Sequence, residues 1–412
     1  MSWLGLLVLA GISGLGIAGS ARSVADGPAR VRRTVTLPRL FRRPIDGGMT
    51  VTSDGLVLAS VGRPGLAPGW RGRQRVEPPR EVIHLDEVET GVRGATIEFA
   101  ANFGVINVGP LAVSPDGATV AIADWDRLQN FNFSRPAQVI RVWKVDGCRE
   151  LAVLAVGPGQ GRHLGFTPDG KILLVTLRSS PNVERVERWS TEDWSPGPRS
   201  VVAVASESRT AIAPDGQTLV EGSVTDASIK VRDVASGNLR SVWIPPKRFD
   251  GSSVCFNLLF SPDGLTLAVG RLEGVELWDV PSGTWRLRLP AIKLGSRGRA
   301  TMAFSNDGRR LAVAGSISLN DRPIDRMVRW LSGIFPINVA PLVNVGLVSV
   351  VDVASGRLER SFEIANQQSL SAIGFALGDQ TIVTEGYEAS RTGSRFRADP
   401  THRIFWDWAA RP

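Results

Sequence analysis

The 412-residue chain has only two cysteines, three histidines, one tyrosine and five lysines. Two cysteines rule out a disulfide framework and a cysteine-based zinc site, and Cys148 and Cys255 are expected to be free and packed. The histidines, His84, His163 and His402, have no neighbour at ligand spacing, so no metal is expected. Gly-x-Ser-x-Gly, a Walker loop and His-Glu-x-x-His are all missing, which leaves no catalytic residue and no cofactor to assign. Gly14-Leu-Gly-Ile-Ala-Gly19 has the spacing of a dinucleotide loop, but no βαβ unit follows it. Long apolar runs are also scarce, and a single one excludes a multispanning membrane protein. With mean hydropathy +0.01 and 21% charged residues, the chain is not disordered.

The one long run, residues 3–21, carries neither charge nor proline and has the length of a membrane-spanning helix. Arg22, Arg30, Arg32, Arg33, Arg39, Arg42 and Arg43 follow, against Asp26 alone, so this neck holds six of the eight net positive charges. Residues 1–21 are therefore read as an N-terminal hydrophobic helix acting as a membrane anchor, with residues 22–30 as a basic linker. The downstream arginines favour a cytoplasmic body. The small residues Gly19-Ser20-Ala21 support the alternative, a cleaved signal with export to the periplasm or cell surface. The body keeps only +2, and the excess of 43 Arg over 5 Lys is what a GC-rich genome produces. The charge therefore argues for topology and contact with anionic lipid head groups rather than for nucleic acid.

Glycine and proline are abundant, 44 and 26 residues, and they punctuate a repeat. Thr52-Ser-Asp-Gly55, Ser114-Pro-Asp-Gly117, Thr167-Pro-Asp-Gly170, Ala213-Pro-Asp-Gly216, Ser261-Pro-Asp-Gly264, Ser305-Asn-Asp-Gly308 and Ala376-Leu-Gly-Asp379 recur between short apolar runs, a strong hairpin signal. A second signature falls once after each copy: His84-Leu-Asp86, Val142-Trp-Lys144, Arg188-Trp-Ser190, Val231-Arg-Asp233, Leu277-Trp-Asp279, Val350-Val-Asp352 and Phe405-Trp-Asp407. Their strict alternation predicts an all-β, seven-bladed β-propeller of four-stranded antiparallel blades over residues 31–412. The chain ends soon after Trp408, which leaves the last blade one strand short. The alternating segment Arg33-Thr-Val-Thr-Leu-Pro38 predicts that residues 31–40 supply the closing strand.

The Ser-Pro-Asp-Gly turns and the pairs Trp278-Asp279 and Trp406-Asp407 resemble the WD-repeat β-propeller family over about residues 31–408. The resemblance implies a bacterial-type, degenerate member. The family's Gly-His pair is approached only at Gly161-Arg-His163, so its Asp-His-Ser-Trp hydrogen-bond network is not expected.

Insertions are uneven. The second signature precedes the next turn by 25 to 30 residues, whereas the turn precedes the second signature by 16 to 45. The elastic interval lies between the second and third strands, and insertions on one face of a repeat array mark its binding face. The long ones, in blades 6, 7, 1 and 2, offer Arg63, Trp70, Arg71, Arg73, Arg75 and Arg80; Trp125, Phe131, Phe133 and Arg135; and Arg391, Arg395 and Arg397. Such residue types are enriched at protein interfaces, and the bland alternative is that they fold back over the rim. Within the longest insertion, residues 316–345, Pro323 predicts a short helix that carries Met327, Trp330 and Leu331. It is expected to cap the ring or to lie on the membrane. The expected function is a non-enzymatic, membrane-tethered scaffold for a protein partner. The alternative is a hydrolase- or lactonase-type propeller enzyme with its site at the central channel.

Overall fold

The computed structural model describes residues 30–36, 49–51, 57–62, 80–90, 93–100, 108–124, 138–157, 159–206, 208–246, 255–271, 274–289, 301–317, 345–364, 369–392 and 395–408. The chain enters the fold through β1 (Arg30–Thr36). Blade 1 follows as β2 (Met49–Val51), β3 (Val57–Gly62), β4 (Arg80–Glu87) and β5 (Arg93–Ala100). Blade 2 is β6 (Val108–Val113), β7 (Thr119–Asp124), β8 (Gln138–Lys144) and β9 (Arg149–Gly157). Blade 3 is β10 (Gln160–Phe166), β11 (Ile172–Ser180), β12 (Val183–Ser190) and β13 (Ser200–Ala203). Blade 4 is β14 (Arg209–Ile212), β15 (Thr218–Gly222), β16 (Ile229–Asp233) and β17 (Leu239–Trp243). Blade 5 is β18 (Cys255–Phe260), β19 (Thr266–Arg271), β20 (Gly274–Asp279) and β21 (Thr284–Leu289). Blade 6 is β22 (Thr301–Phe304), β23 (Arg310–Ile317), β24 (Val345–Asp352) and β25 (Leu358–Ile364). Last come β26 (Ser369–Ala376), β27 (Thr381–Thr392) and β28 (Arg395–Asp407). Each sheet is a four-stranded antiparallel meander, except that the last is ordered β1-β28-β27-β26.

Burial explains why the sheets stand as blades. Strands such as β11 and β19 are buried along nearly their whole length, so each sheet has to be covered on both faces, and its neighbours do this. Among the described residues seven apolar clusters each draw on two consecutive sheets. Ile83 and Leu85 of blade 1 meet Ile122 and Trp143 of blade 2. Leu267 and Trp278 of blade 5 meet Val220 and Trp243 of blade 4, the two indoles stacked 5.7 Å apart. Val88 of blade 1 meets Val383 and Phe405 of the last sheet, and this closes the ring. The fold is thus an all-β propeller of four-stranded antiparallel blades, with its core divided among the interblade layers.

The ring is locked at one seam. β1 pairs along β28, from Arg30 beside Asp407 to Thr36 beside His402. Trp408 then wedges between blades 6 and 7. Its indole N–H donates to the Asp379 carbonyl at 2.8 Å, the Arg310 guanidinium lies 5.2 Å from its ring centroid, and Phe375 meets it edge-on.

Meander topology sorts the connections onto two faces. Links between strands 1 and 2 and between strands 3 and 4 leave one end of a sheet; links between strands 2 and 3, and from one blade to the next, leave the other end. Consecutive 1–2 turns touch around the ring: Asn306 N–H donates to Asp379 at 2.9 Å, and Gly170 lies beside Pro115. This side is called the turn face and the other the connection face.

The expected N-terminal helix (residues 3–21), the insertion helix with Met327, Trp330 and Leu331, and Trp70, Arg71, Arg73, Arg75, Trp125, Phe131, Phe133 and Arg135 lie outside the described residues. Among the described residues no helix is long and apolar enough to cross a membrane. Two corrections follow from the described residues. Arg391, Arg395 and Arg397 are not in a loop: Arg391 belongs to β27 and the other two to β28. The register Thr392–Arg395 leaves two residues between these strands, and the ladder runs on past the point where β26 and β1 stop. Cys148 is exposed rather than packed, because it closes the short 3₁₀ turn Asp146–Cys148 at the blade rim; Cys255 is buried.

Candidate interaction face

The turn face is built by local hydrogen bonds that explain both repeat signatures. In Ser114-Pro-Asp-Gly117 the Ser114 hydroxyl donates to Asp116 Oδ1 at 2.5 Å, Ala118 N–H donates to the same oxygen at 3.0 Å, and Thr119 N–H donates to Ser114 Oγ at 2.9 Å. The sets at Thr167–Asp169, Ser261–Asp263 and Ser305–Asp307 repeat this. The aspartate of the second signature caps the next turn: Asp279 accepts from Ser282 N–H and Oγ, Asp233 from Ser236, and Asp352 from Ser355. These bonds stabilise the charged carboxylates and hold Asp233 at about 2, chiefly through the Ser236 amide. The glycine that ends such a turn also touches the preceding blade. Gly283, at φ +67°, lies so close to Trp243 that a Cβ there would overlap the indole nitrogen.

The connection face of blades 3 to 5 is held by buried ions instead. Arg178, at the end of β11, pairs with Glu184 at 3.0 Å and donates to the carbonyls of Pro181, Ala205 and Ser208, which ties the link between blades 3 and 4 to the ring. The second Glu184 oxygen accepts from Thr210 Oγ1 of blade 4 at 2.5 Å. Glu221 accepts from Ala205 N–H and from Arg232. In blade 5, Arg271 pairs with Glu276 at 2.9 Å and reaches the Ala227 carbonyl of blade 4 at 2.7 Å, while the Trp278 indole N–H donates to Glu276. The carboxylates of Glu184, Glu221 and Glu276 are thus engaged on both oxygens. Glu187, between blades 2 and 3, is raised by burial despite Arg185 and Arg199 at 2.9 and 3.0 Å.

Where the innermost strands begin on this face, Arg162 and His163 of β10 and Arg209 of β14 are exposed. Protein packed around the imidazole lowers His163 to about 4 by desolvation although the residue is open to solvent. Gly165 makes the room, since a Cβ there would lie 2.8 Å from His163 Nε2. Behind Arg209, burial pushes the Cys255 thiol up to about 11. Among the described residues no three His, Cys, Asp or Glu side chains are grouped to hold a metal.

Sequence reasoning located the turns and the elastic connections but missed the buried Arg–Glu set. Its one visible trace is a charge inside otherwise apolar strands, as in Gly274-Val-Glu-Leu-Trp-Asp279 and Thr266-Leu-Ala-Val-Gly-Arg271. Two tryptophans of the second signature use their indole N–H locally: Trp278 donates to Glu276, and Trp406 to Thr384 Oγ1 at 3.0 Å. No protein-family model matches the chain, and no curated protein is similar enough to count as a relative.

Proposed function

We propose that this chain is a non-enzymatic interaction scaffold: a degenerate WD-repeat-like propeller that recruits a protein partner through the connection face and is tethered by residues 3–21. The observation that carries the reading is the asymmetry of the 2–3 connections. Blades 3, 4 and 5 join these strands through 181–182, 223–228 and 272–273, whereas blades 1, 2 and 6 use 63–79, 125–137 and 318–344. The short links sit on a rim fastened by Arg178, Glu221 and Arg271. A rigid ring with long connections gathered on one side of one face is the usual arrangement of a repeat-protein binding surface.

Affinity capture with the full chain, and with 63–79 or 318–344 replaced by short Gly-Ser links, tests the reading. Loss of the same partner from both variants, with unfolding unchanged, is the expected result; full retention by both would refute it. A C-terminal reporter fusion reads the membrane side, and the basic neck leads to the expectation of cytoplasmic signal.

A further inference from the structure

The first strands of the sheets meet one another around the ring. β2, β6, β10, β14, β18, β22 and β26 each touch the next, and β26 touches β2 again, so these strands line the central channel. Blades 3 to 6 place a polar side chain on one rung of that lining. His163 pairs with Thr176, Arg209 with Gly222, Asn257 with Gly270 and Thr301 with Ala314, and each stands four residues before the residue that opens its turn. His163 and Arg209 are exposed, and Asn257 and Thr301 are half-buried. Two residues further on, Gly165, Ala211, Leu259 and Ala303 are also partly open, whereas the alternating Leu164, Ile212, Leu258 and Met302 are buried in the interblade layers. Successive side chains along a strand point to opposite sides. The first set therefore opens on the channel, near its mouth on the connection face.

The groups on this rung are held in place but leave their polar atoms unspent. The His163 ring lies back along the channel wall over Gly165, where a Cβ would come within 2.8 Å of Nε2. Among the described residues neither ring nitrogen has a hydrogen-bond partner. Desolvation keeps the ring neutral down to about pH 4, so at neutral pH it offers one donor and one acceptor. Arg209 has no ion pair among the described residues. Arg271, the other guanidinium near the Cys255 thiol, is taken by Glu276 and the Ala227 carbonyl. The Thr301 hydroxyl has no partner. Asn257 is fixed by the Leu258 N–H, which donates to its Oδ1 at 2.9 Å. A β-bulge immediately before His163 and another before Asn257 bend the strand ends there, a device that re-aims side chains next to functional sites.

We infer that this rung is a binding site for a small hydroxy-carboxylate, with Arg209 anchoring the carboxylate and His163, Asn257 and Thr301 reading the hydroxyl groups. The charge count selects the ligand. The rung holds one permanent cation and no acid in these four blades, which matches a monoanion; a phosphate dianion would need a second cation. The planar guanidinium fork fits a carboxylate through two parallel hydrogen bonds. The three neutral groups between them supply donors and acceptors, as a hydroxyl requires. The site is separate from the long connections and does not depend on the scaffold reading.

The test titrates the full chain, in detergent micelles at pH 7, with glycerate, and reads binding by calorimetry and saturation-transfer NMR. Saturable binding is expected, with acetate and glycerol, which each lack half of the ligand, clearly weaker. Arg209→Ala should weaken glycerate about tenfold or more, while the control Arg240→Ala, on the outer strand of blade 4, should stay within about twofold. His163→Gln and Thr301→Ala should weaken glycerate but leave acetate as it was, a split that general damage to the ring would not produce. Should Arg209→Ala unfold, Arg209→Gln takes its place with the same expectation. No saturable binding by the wild-type chain, equal weakening by the control, an unchanged affinity in the Arg209 variant, or tighter binding of inorganic phosphate than of glycerate would each overturn the inference. None of these outcomes bears on partner capture through 63–79 or 318–344, so the two readings fail separately.

Discussion

On the turn face a carboxylate finds its partners two or three residues away: Asp116 with Ser114 and Ala118, Asp279 with Ser282. On the connection face the partners are distant in sequence: Glu184 with Thr210, Arg178 with Ser208, Arg271 with Ala227. The turn face is therefore a set of self-contained units, each able to form within its own hairpin. The connection face of blades 3 to 5 exists only once adjacent blades have docked. Local bonds exposed to water contribute little each, while a buried pair left half-made is costly. The difference predicts where the ring tolerates change, and the following substitutions are ordered by expected effect.

The largest effect should come from the seam, where both faces depend on one strand. Deleting residues 31–40 removes the β1–β28 ladder and should lower the melting temperature more than any point substitution, as read by calorimetry. An unchanged transition would mean that the ring does not need its closing strand.

Arg178→Ala should be the most damaging single change on the connection face. It strands Glu184, which is fully buried, and such a loss costs about 3–5 kcal/mol. Arg178→Met with Glu184→Leu should cost clearly less, because no charge is left unpaired; a denaturant titration of both variants sharpens the contrast between pairing and packing.

Gly283→Ala on the turn face meets two penalties, positive φ and the Trp243 indole, and should cost about 1–3 kcal/mol. Ser282→Ala, which removes only the exposed hydroxyl's bonds to Asp279 and Thr284, should cost about 1 kcal/mol or less.

The smallest effect concerns pH. Asp226 and Asp233 are both held at about 2, the first chiefly by Ser223 and the second by Ser236. A depressed carboxylate contributes stability that is present above its ordinary value near 3.9 and is lost as pH falls through about 2. The urea midpoint should therefore drop between pH 4 and pH 2, and Asp226→Asn/Asp233→Asn should flatten that drop while changing little above pH 5. His163 acts in a higher window. Its lowered value means the unfolded chain takes up the proton first, so its contribution fades as pH falls from about 6.5 towards 4. His163→Gln should remove that slope.

Much of the fold could be read from residues because so much of it is local. Ser-Pro-Asp-Gly is a turn whose bonds close within five residues, and Asp279 with Ser282 and Gly283 forms another. Elsewhere the reading went astray for physical reasons. Arg391, Arg395 and Arg397 read as a loop in the sequence because polar and charged residues obscure the alternation of the two-stranded ladder they belong to. Composition alone points to a packed Cys148, yet a turn at the rim leaves it open.

By itself the sequence determined the number and chemistry of the turns, the rhythm of the strands and the places where the chain lengthens, since each follows from residues a few positions apart. The tertiary structure decided what happens between distant segments. It set β1 against β28, made turn glycines of blades 3 to 6 seats for the preceding blade, and buried Arg178 and Glu184 under a link some thirty residues away. It also brought the N-terminal segment in at the turn face, through the register of β1 with β28. A linear chain carries no record of face; sidedness arises only when alternating strands close into a ring.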